Sequence, residues 1–594
     1  MVSPGTVLLH DNLTPKGQNL LFARPRELIV AHDAAGARKG LARLEAAGRE
    51  GLWAAGYLAY ELGFLFEERL AHRLQQPSQT PLIWFGLFDA PQQLDAAALA
   101  SLFDAAGEGG AEHVRPLTDP AAYGAAFERV KDLIAAGDTY QVNLTLKAAF
   151  RLAGDPLGLY RRLAQSQPVA YGAYIHAGDH HVLSRSPELF VSASGDRLTA
   201  RPMKGTLKRG RSTAEDEAGR LALAADAKNR AENLMIVDLL RNDLGRIAET
   251  GSVKVTDLFT VETYRSLHTM TSGIEARKRP DVGLVEMLEN LFPCGSVTGA
   301  PKLRAMEIIN AVEANPRGLY TGSIGYIAPG GDFAFNVAIR TAVIDDKGWG
   351  EIGIGGGIVA DSRVGDEYAE ALLKLNFLAD PAPPVTLIET FKWTPEAGYA
   401  LRDRHLDRLL DSARYFALPT DRAAISAFLS GRAKDWTGPM RVRLTLAEAG
   451  LDLSAVPLPP SPDRFRFALA EKPLDSASIW LAHKTTNRSF YDQPRQAAHA
   501  ALGVDEVVFV NERGELTEGS ITNLFIARDG QLLTPPLASG LLPGTLRAEL
   551  IATGKAIEEV LTLADLSSAD TVYLGNSVRG LLRADWVRTD HDHN

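Results

Sequence analysis

The sequence predicts an α+β protein made of two domains. Its 594 residues exceed what one hydrophobic core usually serves. A proline-rich stretch, "FLADPAPPVTLIET" (377–390), follows a long helical pattern and is typical of an extended linker. It divides the chain into parts of about 380 and about 210 residues. Helical and strand patterns occur in both parts, and the second part contains consecutive hairpin patterns.

The composition excludes several classes of protein. Hydrophobic residues make up 45% and charged residues 23%, which is ordinary for a soluble globular protein. A net charge of -10 without a long basic run argues against a nucleic-acid partner. The single cysteine, Cys294, excludes an internal disulfide and a cysteine metal cage. Neither a signal peptide nor a membrane-spanning apolar run is recognisable, so we expect a cytoplasmic protein without a membrane partner.

Four stretches of the first part carry more glycine and polar residues than a plain core needs. They are "GDTYQVNLT" (137–145), "AENLMIVDLLRNDLGRI" (231–247), "FPCGSVTGAPKLRAMEII" (292–309) and "GIGGGIVADSRVGDEYAEALLKLNFL" (353–378). In the last stretch Glu367, Glu370 and Lys374 share one face of a predicted helix. Helix starts and glycine backbones bind carboxylates, and paired carboxylates bind magnesium. The same features also suit an ordinary helix cap and a solvent-exposed ion pair.

The stretch "RPMKGTLKRG" (201–210) places one lysine at a bend. Pro202 keeps the preceding residue extended, and Gly205 allows a tight turn directly after Lys204. A lysine held at such a point is a nucleophile if its pKa is lowered. Read alone, Lys204 is better explained as one more solvated cation in a basic run.

Taken together and in this order, these stretches resemble the chorismate-utilising enzymes, most closely those that form 4-amino-4-deoxychorismate. The resemblance covers roughly residues 119–378 and includes "SRSPELF", "RGLYTGSIGY" and "FNVAIRT"; "GLWAAGYLAYELG" extends it more weakly toward the N-terminus. It implies a chorismate-binding α/β sandwich of antiparallel sheets with helices. The catalytic domain would occupy residues 119–379, and residues 1–118 would be the N-terminal part of the same component.

Two positions choose a reaction within the family. Relatives that make anthranilate carry alanine where this chain has Lys204, and relatives that add water carry a lysine where it has Gln141. The resemblance therefore implies amination, with Lys204 attacking C2 of the chorismate ring and Glu188 acting as the general acid. It places a magnesium ion on Glu232 and Glu367. The implied substrate-binding residues are Gln141, Asn143, His268, Ser296, Thr298, Gly299, Tyr320, Arg340, Gly355, Gly357 and Lys374.

The source of ammonia follows from the cysteine count. A glutaminase of the usual partner type needs a cysteine nucleophile, and Cys294 lies inside the glycine- and hydroxyl-rich stretch 292–309, the substrate loop of the family resemblance. We therefore expect free ammonia or a separate glutamine amidotransferase subunit to supply the nitrogen.

The second part of the chain has a different sequence pattern. The stretch "DEVVFVNERGELTEGSITNLFIARDGQLLTPP" (505–536) predicts consecutive β-hairpins and contains Glu518. Lys484 lies upstream, between a strand end and a polar loop. "GLLPGTLR" (540–547) and "GNSVRG" (575–580) offer backbone amides and hydroxyls of the kind that hold a phosphate. Read separately, Lys484 and Glu518 are better explained as a surface lysine and a hairpin-edge glutamate.

Together these features resemble the fold-type IV pyridoxal-phosphate enzymes, which include aminotransferases and aminodeoxychorismate lyase. The match covers about residues 386–590 and includes "RDRHLDRLLDSARYF", so the domain would be 386–594 after a linker at 380–385. The resemblance implies pyridoxal 5'-phosphate bound covalently by Lys484, with Glu518 at the pyridine nitrogen. The remaining implied contacts are Arg408, Thr545 and Ser577 at the phosphate and Thr390 near the substrate.

The two resemblances predict one pathway. Chorismate would be aminated in the first domain, and the second would eliminate pyruvate to give 4-aminobenzoate. One alternative is an anthranilate-type synthase joined to a branched-chain or D-amino acid aminotransferase, which Lys204 disfavours. The other is that one half is only a docking or regulatory module, which the intact set of candidate catalytic residues disfavours.

Overall fold

The computed structural model describes residues 2–14, 17–265, 267–381 and 383–588. The chain forms two compact units: Met1–Lys208 with Arg220–Pro383, and Arg209–Gly219 with Pro384–Asn594. Among the described residues no helix has both the length and the apolar character needed to cross a membrane.

The elements up to the proline-rich stretch are numbered in chain order. Strands β1 to β20 are Thr6–His10, Asn19–Phe22, Glu27–Ala31, Trp53–Leu58, Ile83–Phe88, Gln92–Gln93, Gly109–Pro116, Gln141–Gly154, Tyr171–His176, His180–Ser186, Leu189–Ser194, Arg197–Arg201, Met203–Lys208, Lys254–Thr263, Leu267–Arg277, Gly299–Ala300, Ser323–Ile327, Phe333–Asn336, Thr341–Asp345 and Trp349–Ile358. Helices α1 to α11 are Ala34–Arg49, Glu68–Ala71, Ala96–Asp104, Pro120–Ala135, Pro156–Ser166, Thr213–Ala225, Ala227–Gly245, Leu284–Leu291, Lys302–Val312, Val364–Leu373 and Asn376–Ala379.

The described strands of the first unit form two antiparallel sheets of ten strands each. One has the order β16-β8-β20-β19-β10-β9-β1-β2-β6, with β7 beside β8. The other has the order β13-β15-β12-β11-β18-β17-β4-β5-β3, with β14 beside β15. Buried residues of both sheets, such as Ile354 of β20 and Phe335 of β18, belong to one hydrophobic core together with helices α1, α5, α7 and α9.

Aspartate caps fix where several helices of the first unit begin. Each of these side chains accepts a hydrogen bond from a backbone N–H of the first helical turn, which contributes about 1 kcal/mol per helix. The capping residues are Asp33, Asp95, Asp119, Asp155 and Asp226. Pro120 and Pro156 then occupy the first turn of α4 and α5, where a missing N–H costs nothing.

The second unit contains strands β21 to β32: Leu387–Thr394, Gly398–Tyr399, Met440–Ala447, Gly450–Pro457, Arg464–Leu469, Glu506–Val510, Leu516–Gly519, Asn523–Arg528, Gln531–Thr534, Ala556–Glu558, Thr571–Asn576 and Gly580–Trp586. Its helices α12 to α17 are Arg402–Tyr415, Arg422–Arg432, Ile479–Ala482, Ser489–Leu502, Thr545–Ala552 and Leu563–Ser568.

A small antiparallel sheet and a larger mixed sheet make up this unit. The small sheet has the order β22-β21-β23-β24, and the larger one β27-β26-β25-β32-β31-β28-β29-β30. An additional pairing of β27 with β28 makes the larger sheet barrel-like. The consecutive hairpins predicted at 505–536 are present as β26 to β29. The predicted α+β class is confirmed.

Close strand packing generates a prediction about stability. A Cβ atom added at Gly325 of β17 would overlap the Ala334 carbonyl and the Phe335 ring, whereas nothing lies within 4 Å of one added at Gly48 of α1. Gly325→Ala should therefore lower the free energy of unfolding by about 1–3 kcal/mol. Gly48→Ala should raise it by about 0.5–1 kcal/mol, because alanine is the better helix former.

Urea unfolding of the two variants beside the wild type measures both effects. Equal stability of the two variants would show that β17 and β18 are not packed as described.

Candidate active sites

The first unit contains a cavity of about 340 Å³. Strands β13, β15 and β20 and helices α7 and α10 contribute to its wall. Most of the residues singled out in the first domain line it: Asn143, Glu188, Lys204, Glu232, Ser296, Tyr320, Arg340, Gly355, Gly357, Glu367 and Lys374.

Four further residues lie beside or behind this wall. A side chain at Gly357 would overlap both the Lys204 amine and the Gln141 amide, so Gln141 is an immediate neighbour of the lysine. His268 lies between wall residues Leu267 and Thr269 on β15, and strand alternation turns it away from the cavity.

Thr298 and Gly299 are also not brought to the wall. The Thr298 hydroxyl donates to the Cys294 carbonyl at 2.8 Å. Gly299 pairs with Val142, which joins the substrate loop to β8. The structure therefore gives both residues a part in shaping the loop.

A β-bulge aims Lys204 into the cavity. The register of β13 against β15 shifts between Met203 and Thr206. Lys204 and Gly205 lie in this bulge, and Gly205 takes a φ of 90°, which glycine adopts without strain. Burial lowers the pKa of the Lys204 amine, while Glu232 partly opposes this shift. The neutral, nucleophilic form is thereby favoured.

Glu188 lies in the loop between β10 and β11 and is buried. Its carboxylate accepts a hydrogen bond from the Ser296 hydroxyl at 2.6 Å. Burial raises the pKa of Glu188 to about 7, although the Ser296 hydrogen bond and the nearby Lys204 oppose the shift. A carboxyl group with this pKa holds a proton part of the time near neutral pH and can donate it.

Arg340 and Tyr320 form another part of the wall. The Nη1 atom of Arg340 is buried and has no hydrogen-bond partner among the described residues. Burial lowers the pKa of Arg340 to about 10, so the guanidinium remains charged. The Tyr320 ring packs where any side chain at Gly353 would collide with it. An unpartnered guanidinium N–H in a cavity suits a carboxylate ligand.

Carboxylates from two helices face the same cavity. Glu232 lies on α7 and Glu367 on α10, where Glu367 accepts from the Ser362 hydroxyl at 2.6 Å. Burial raises the pKa of Glu367, and the like charge of Glu370 adds to this shift. Lys374 pairs with Glu370 at 2.9 Å.

These oxygen donors fit a magnesium ion. No group of three or more His, Cys, Asp or Glu side chains in the described part of the chain forms a ready metal cage. Magnesium does not need such a cage, because it commonly binds one or two protein carboxylates and retains several waters.

Sequence reasoning missed the buried ion pair behind this wall. Arg317 pairs with Glu313 at 2.7 Å and donates to the carbonyls of Asn143 at 2.6 Å and Val297 at 2.9 Å. Glu313 accepts from the Thr145 N–H at 2.9 Å. The pair therefore connects β8 to the substrate loop. The sequence signal for this pair was the i, i+4 spacing of Glu313 and Arg317. Opposite charges at this spacing are also common on solvated surfaces, so the spacing alone did not indicate a buried pair.

The second unit contains a cavity of about 600 Å³. The small sheet, helix α15, the loop after β31 and the start of α16 contribute to its wall. Every residue singled out in the second domain lines it: Thr390, Arg408, Lys484, Glu518, Thr545 and Ser577.

Lys484 and Glu518 are both desolvated in this cavity. The Lys484 carbonyl accepts from the Ile388 N–H at 2.8 Å, which fixes the lysine backbone against β21. Burial, together with Arg408 and Arg488, lowers the pKa of Lys484 to about 8. Burial raises the pKa of Glu518 to about 7, although its hydrogen bond from Tyr491, at 2.6 Å, opposes the shift.

Arg408 belongs to a buried network that the sequence did not reveal. Its Nε and Nη2 atoms donate to Glu389 at 2.9 and 2.6 Å. Glu389 also bonds His405 at 2.5 Å, and the opposite ring nitrogen of His405 lies 2.9 Å from the Ser577 hydroxyl. Burial opposes ionisation of Glu389, yet Arg408 and His405 hold its pKa at about 2. Much of the Arg408 charge is therefore already paired.

The donor set fits pyridoxal phosphate. Helix α16 begins at Thr545, and its N-cap residue is Gly544, so no side chain caps the first N–H groups of the helix. A Cβ at Gly544 would overlap the Asn523 amide, so the backbone approaches closely there. Hydroxyls, a helix N-terminus and Arg408 thus lie at one end of the cavity and suit a phosphate. Lys484 and Glu518 supply an amine and a carboxylate in the same cavity.

Comparison with known proteins identifies the family of each unit. The family model for chorismate binding enzymes matches residues 10–380. The chain belongs to the chorismate binding enzyme family. The model for amino-transferase class IV matches residues 386–585. The two predicted resemblances are confirmed: a chorismate binding unit is followed by a fold-type IV aminotransferase-like unit.

Several proteins similar to this chain are named aminodeoxychorismate synthase. The chain is 46% identical over 245 residues to aminodeoxychorismate synthase, chloroplastic, of Arabidopsis thaliana, covering 41% of this chain and 27% of that protein. It is 41% identical over 256 residues to aminodeoxychorismate synthase component 1 of Escherichia coli K12, covering 43% of this chain and 56% of that protein. The chain thus spans about half or less of these relatives' length.

A solved structure supports the fold of the chorismate binding unit. Anthranilate synthase component I from Streptococcus pneumoniae TIGR4 is 27% identical, with a TM-score of 0.51. The match covers 64% of this chain and 90% of that protein.

The raised pKa of Glu188 predicts a pH-dependent stability. The folded-state pKa of about 7 exceeds the ordinary value of 4.5, so ionisation of this buried carboxyl destabilises the fold as pH rises between these values. Glu188→Gln removes the penalty. Near pH 4 the variant and the wild type should have the same free energy of unfolding. Above pH 7 the free energy of unfolding of the variant should be higher by on the order of 2–3 kcal/mol.

Chemical unfolding across this pH range tests the difference. The exposed Glu112→Gln substitution, in the same unit, controls for the loss of one negative charge. A stability gain that is independent of pH would show that folding does not shift the pKa of Glu188.

Proposed function

We propose that this chain makes 4-aminobenzoate from chorismate in two steps. The chorismate binding unit would form 4-amino-4-deoxychorismate, and the aminotransferase-like unit would eliminate pyruvate from it. The observation that carries the first step is the desolvated Lys204 amine in a cavity with Glu188 and the unpartnered Arg340. The names of the relatives support the choice of substrate.

The first reaction follows from the charge states of two residues. Neutral Lys204 attacks C2 of the ring, and the C4 hydroxyl leaves as the double bond shifts. Hydroxide is a poor leaving group, so protonated Glu188 donates to that oxygen. Ammonia then adds at C4 and the Lys204 amine departs. Arg340 and Tyr320 hold one substrate carboxylate throughout, because a guanidinium binds it through two hydrogen bonds.

Glu232 and Glu367 would hold magnesium beside the ring carboxylate. The ion would neutralise charge and orient the substrate. Gln141, next to Lys204, is not a base, which disfavours activation of water at C2.

The nitrogen would come from a separate glutamine amidotransferase subunit or from free ammonia. Cys294 is buried, and burial raises the pKa of its thiol to about 12. A thiol in this state is a poor nucleophile.

In the second unit Lys484, Glu518 and the phosphate end of the cavity would hold pyridoxal phosphate. The cofactor, when bound, supplies an electron sink for bonds around the substrate's amine-bearing carbon. Glu518 would face the pyridine nitrogen and favour its protonated form. Lys484 would remove the proton at C4 of the substrate. The C3–O bond would then break, and the enolpyruvyl group would take up a proton and leave as pyruvate, so that the ring becomes aromatic.

An aminotransferase is the second candidate for this unit, because the matching family model carries that name. The two reactions differ in the fate of the amine. Elimination leaves it on the product, whereas transamination moves it to the cofactor and then requires a keto acid.

Substitution of Lys204 tests the first step. Lys204→Ala should abolish formation of aminodeoxychorismate from chorismate, magnesium and ammonium, because the proposed reaction uses the Lys204 amine as the nucleophile at C2. The second step should survive, since Lys484 lies in the other cavity. Lys208→Ala, an exposed change on the same strand, is the matched control and should retain both. Unchanged turnover in Lys204→Ala would refute covalent catalysis by this lysine.

Substitution of Lys484 tests the second step. With purified aminodeoxychorismate as sole substrate, the wild type should give pyruvate and 4-aminobenzoate in equal amounts over many turnovers. Borohydride should fix the cofactor to the peptide that contains Lys484. Lys484→Ala should lose both properties and keep the first reaction. A wild type that stops after one turnover and resumes when a keto acid is added is an aminotransferase.

A further inference from the structure

Tyr491 lines the cavity of the second unit, and none of the proposed cofactor contacts uses it. It lies in the first turn of helix α15, and only 6% of its surface is exposed. Lys484 and Glu518 line the same cavity. A buried tyrosine hydroxyl needs a hydrogen-bond partner, because an unsatisfied polar group is costly to bury.

That partner is the Glu518 carboxylate. The Tyr491 hydroxyl donates to its Oε1 atom at 2.6 Å, the length of a charge-assisted hydrogen bond. The Leu542 N–H donates to the same oxygen at 2.8 Å, and the Asn523 amide donates to Oε2 at 3.0 Å. All three groups are donors, so each of them favours the ionised form of the carboxyl group.

Packing fixes the tyrosine ring independently of this hydrogen bond. Tyr491 belongs to a hydrophobic cluster with Leu474, Leu481, Val507 and Phe509. Its ring centroid lies 5.1 Å from that of Phe509 in an edge-to-face arrangement. Because the neighbours hold the ring, the hydroxyl has a fixed direction and can keep the carboxylate in one orientation.

Opposing influences act on the proton of Glu518. Burial raises the pKa of this carboxyl group to about 7, whereas Tyr491, the Leu542 N–H and two nearby cations, Lys484 and Arg488, lower it. Burial and the charge of Glu518 raise the pKa of Tyr491, so its hydroxyl keeps its proton and remains a donor. Without that donor, Glu518 would compete more strongly for any proton that it shares with a neighbouring base.

The base that Glu518 would face is the pyridine nitrogen of the proposed cofactor, whose protonated form is the stronger electron sink. We infer that Tyr491 is a positioning residue that acts through Glu518: its hydroxyl keeps the carboxylate ionised and oriented, so that the pyridine nitrogen retains its proton. This inference rests on the proposed function and deepens it. When the hydroxyl is removed, the shared proton should move from the pyridine nitrogen to Glu518 and leave a neutral ring.

Kinetics of the second reaction separate this role from substrate binding. Tyr491→Phe removes the hydroxyl and keeps the ring. With aminodeoxychorismate as substrate, kcat should fall at least about tenfold, the effect of losing one charge-assisted hydrogen bond, while KM changes less than about twofold. Tyr399→Phe is the matched control, because the Tyr399 hydroxyl donates to the Leu429 carbonyl at 2.9 Å and Tyr399 does not line the cavity. It should keep both wild-type values.

A second measurement does not depend on turnover. Solid-state nitrogen-15 NMR of the protein, loaded with a cofactor labelled at the pyridine nitrogen, distinguishes a protonated ring from a neutral one. At neutral pH the wild type and Tyr399→Phe should give the signal of a protonated nitrogen, and Tyr491→Phe should move toward the neutral signal. Replacement of Tyr491 by 3-fluorotyrosine, which retains a hydroxyl donor, should give the protonated signal and the wild-type kcat.

The outcomes distinguish the inference from the proposed function. A protonated pyridine nitrogen in Tyr491→Phe would overturn the inference, even if the wild type releases pyruvate and even if kcat falls, since Tyr491 would then have only a structural role. A wild type that releases no pyruvate would refute the proposed elimination, and the nitrogen signals would still decide whether Tyr491 acts through Glu518.

Discussion

Removal of water from one lysine and one glutamate in each unit is the constraint on which both candidate sites depend. Burial lowers the pKa of the Lys204 and Lys484 amines and raises the pKa of Glu188 and Glu518 to about 7. The lowered pKa values favour the neutral, nucleophilic form of the two lysines. The raised pKa values let the two glutamates exchange protons near neutral pH. The cost of burying these groups must be offset by the surrounding fold, which explains why fixed networks stand behind both cavities.

In both units a buried ion pair fixes the position of the elements around the cavity. In the first unit the Arg317–Glu313 pair joins β8 to the substrate loop, and neither residue lines the cavity. In the second, Glu389 holds Arg408 and bonds His405, which reaches Ser577. Breaking a buried ion pair by removing one partner is costly, since the other charge remains desolvated. Such pairs fix geometry around the reacting groups rather than take part in the reaction.

The sequence predicted the α+β class and most of the residues that line each cavity, because these residues sit in local motifs. It could not predict the β-bulge that aims Lys204, since a bulge depends on register with β15. His268 shows the same limit: one position along β15 separates a wall residue from one turned away. Glu389 and Arg317 were missed because their partners are distant in the chain or resemble surface pairs.

We propose that one chain carries chorismate to 4-aminobenzoate through an aminated intermediate. The most direct measurement is a time course of the full-length wild type, loaded with pyridoxal phosphate, on chorismate, magnesium and ammonium, with every aromatic product identified. We predict a transient of 4-amino-4-deoxychorismate, followed by 4-aminobenzoate and pyruvate in equal amounts. Formation of 2-aminobenzoate, or permanent accumulation of the aminated intermediate without pyruvate, would contradict the claim.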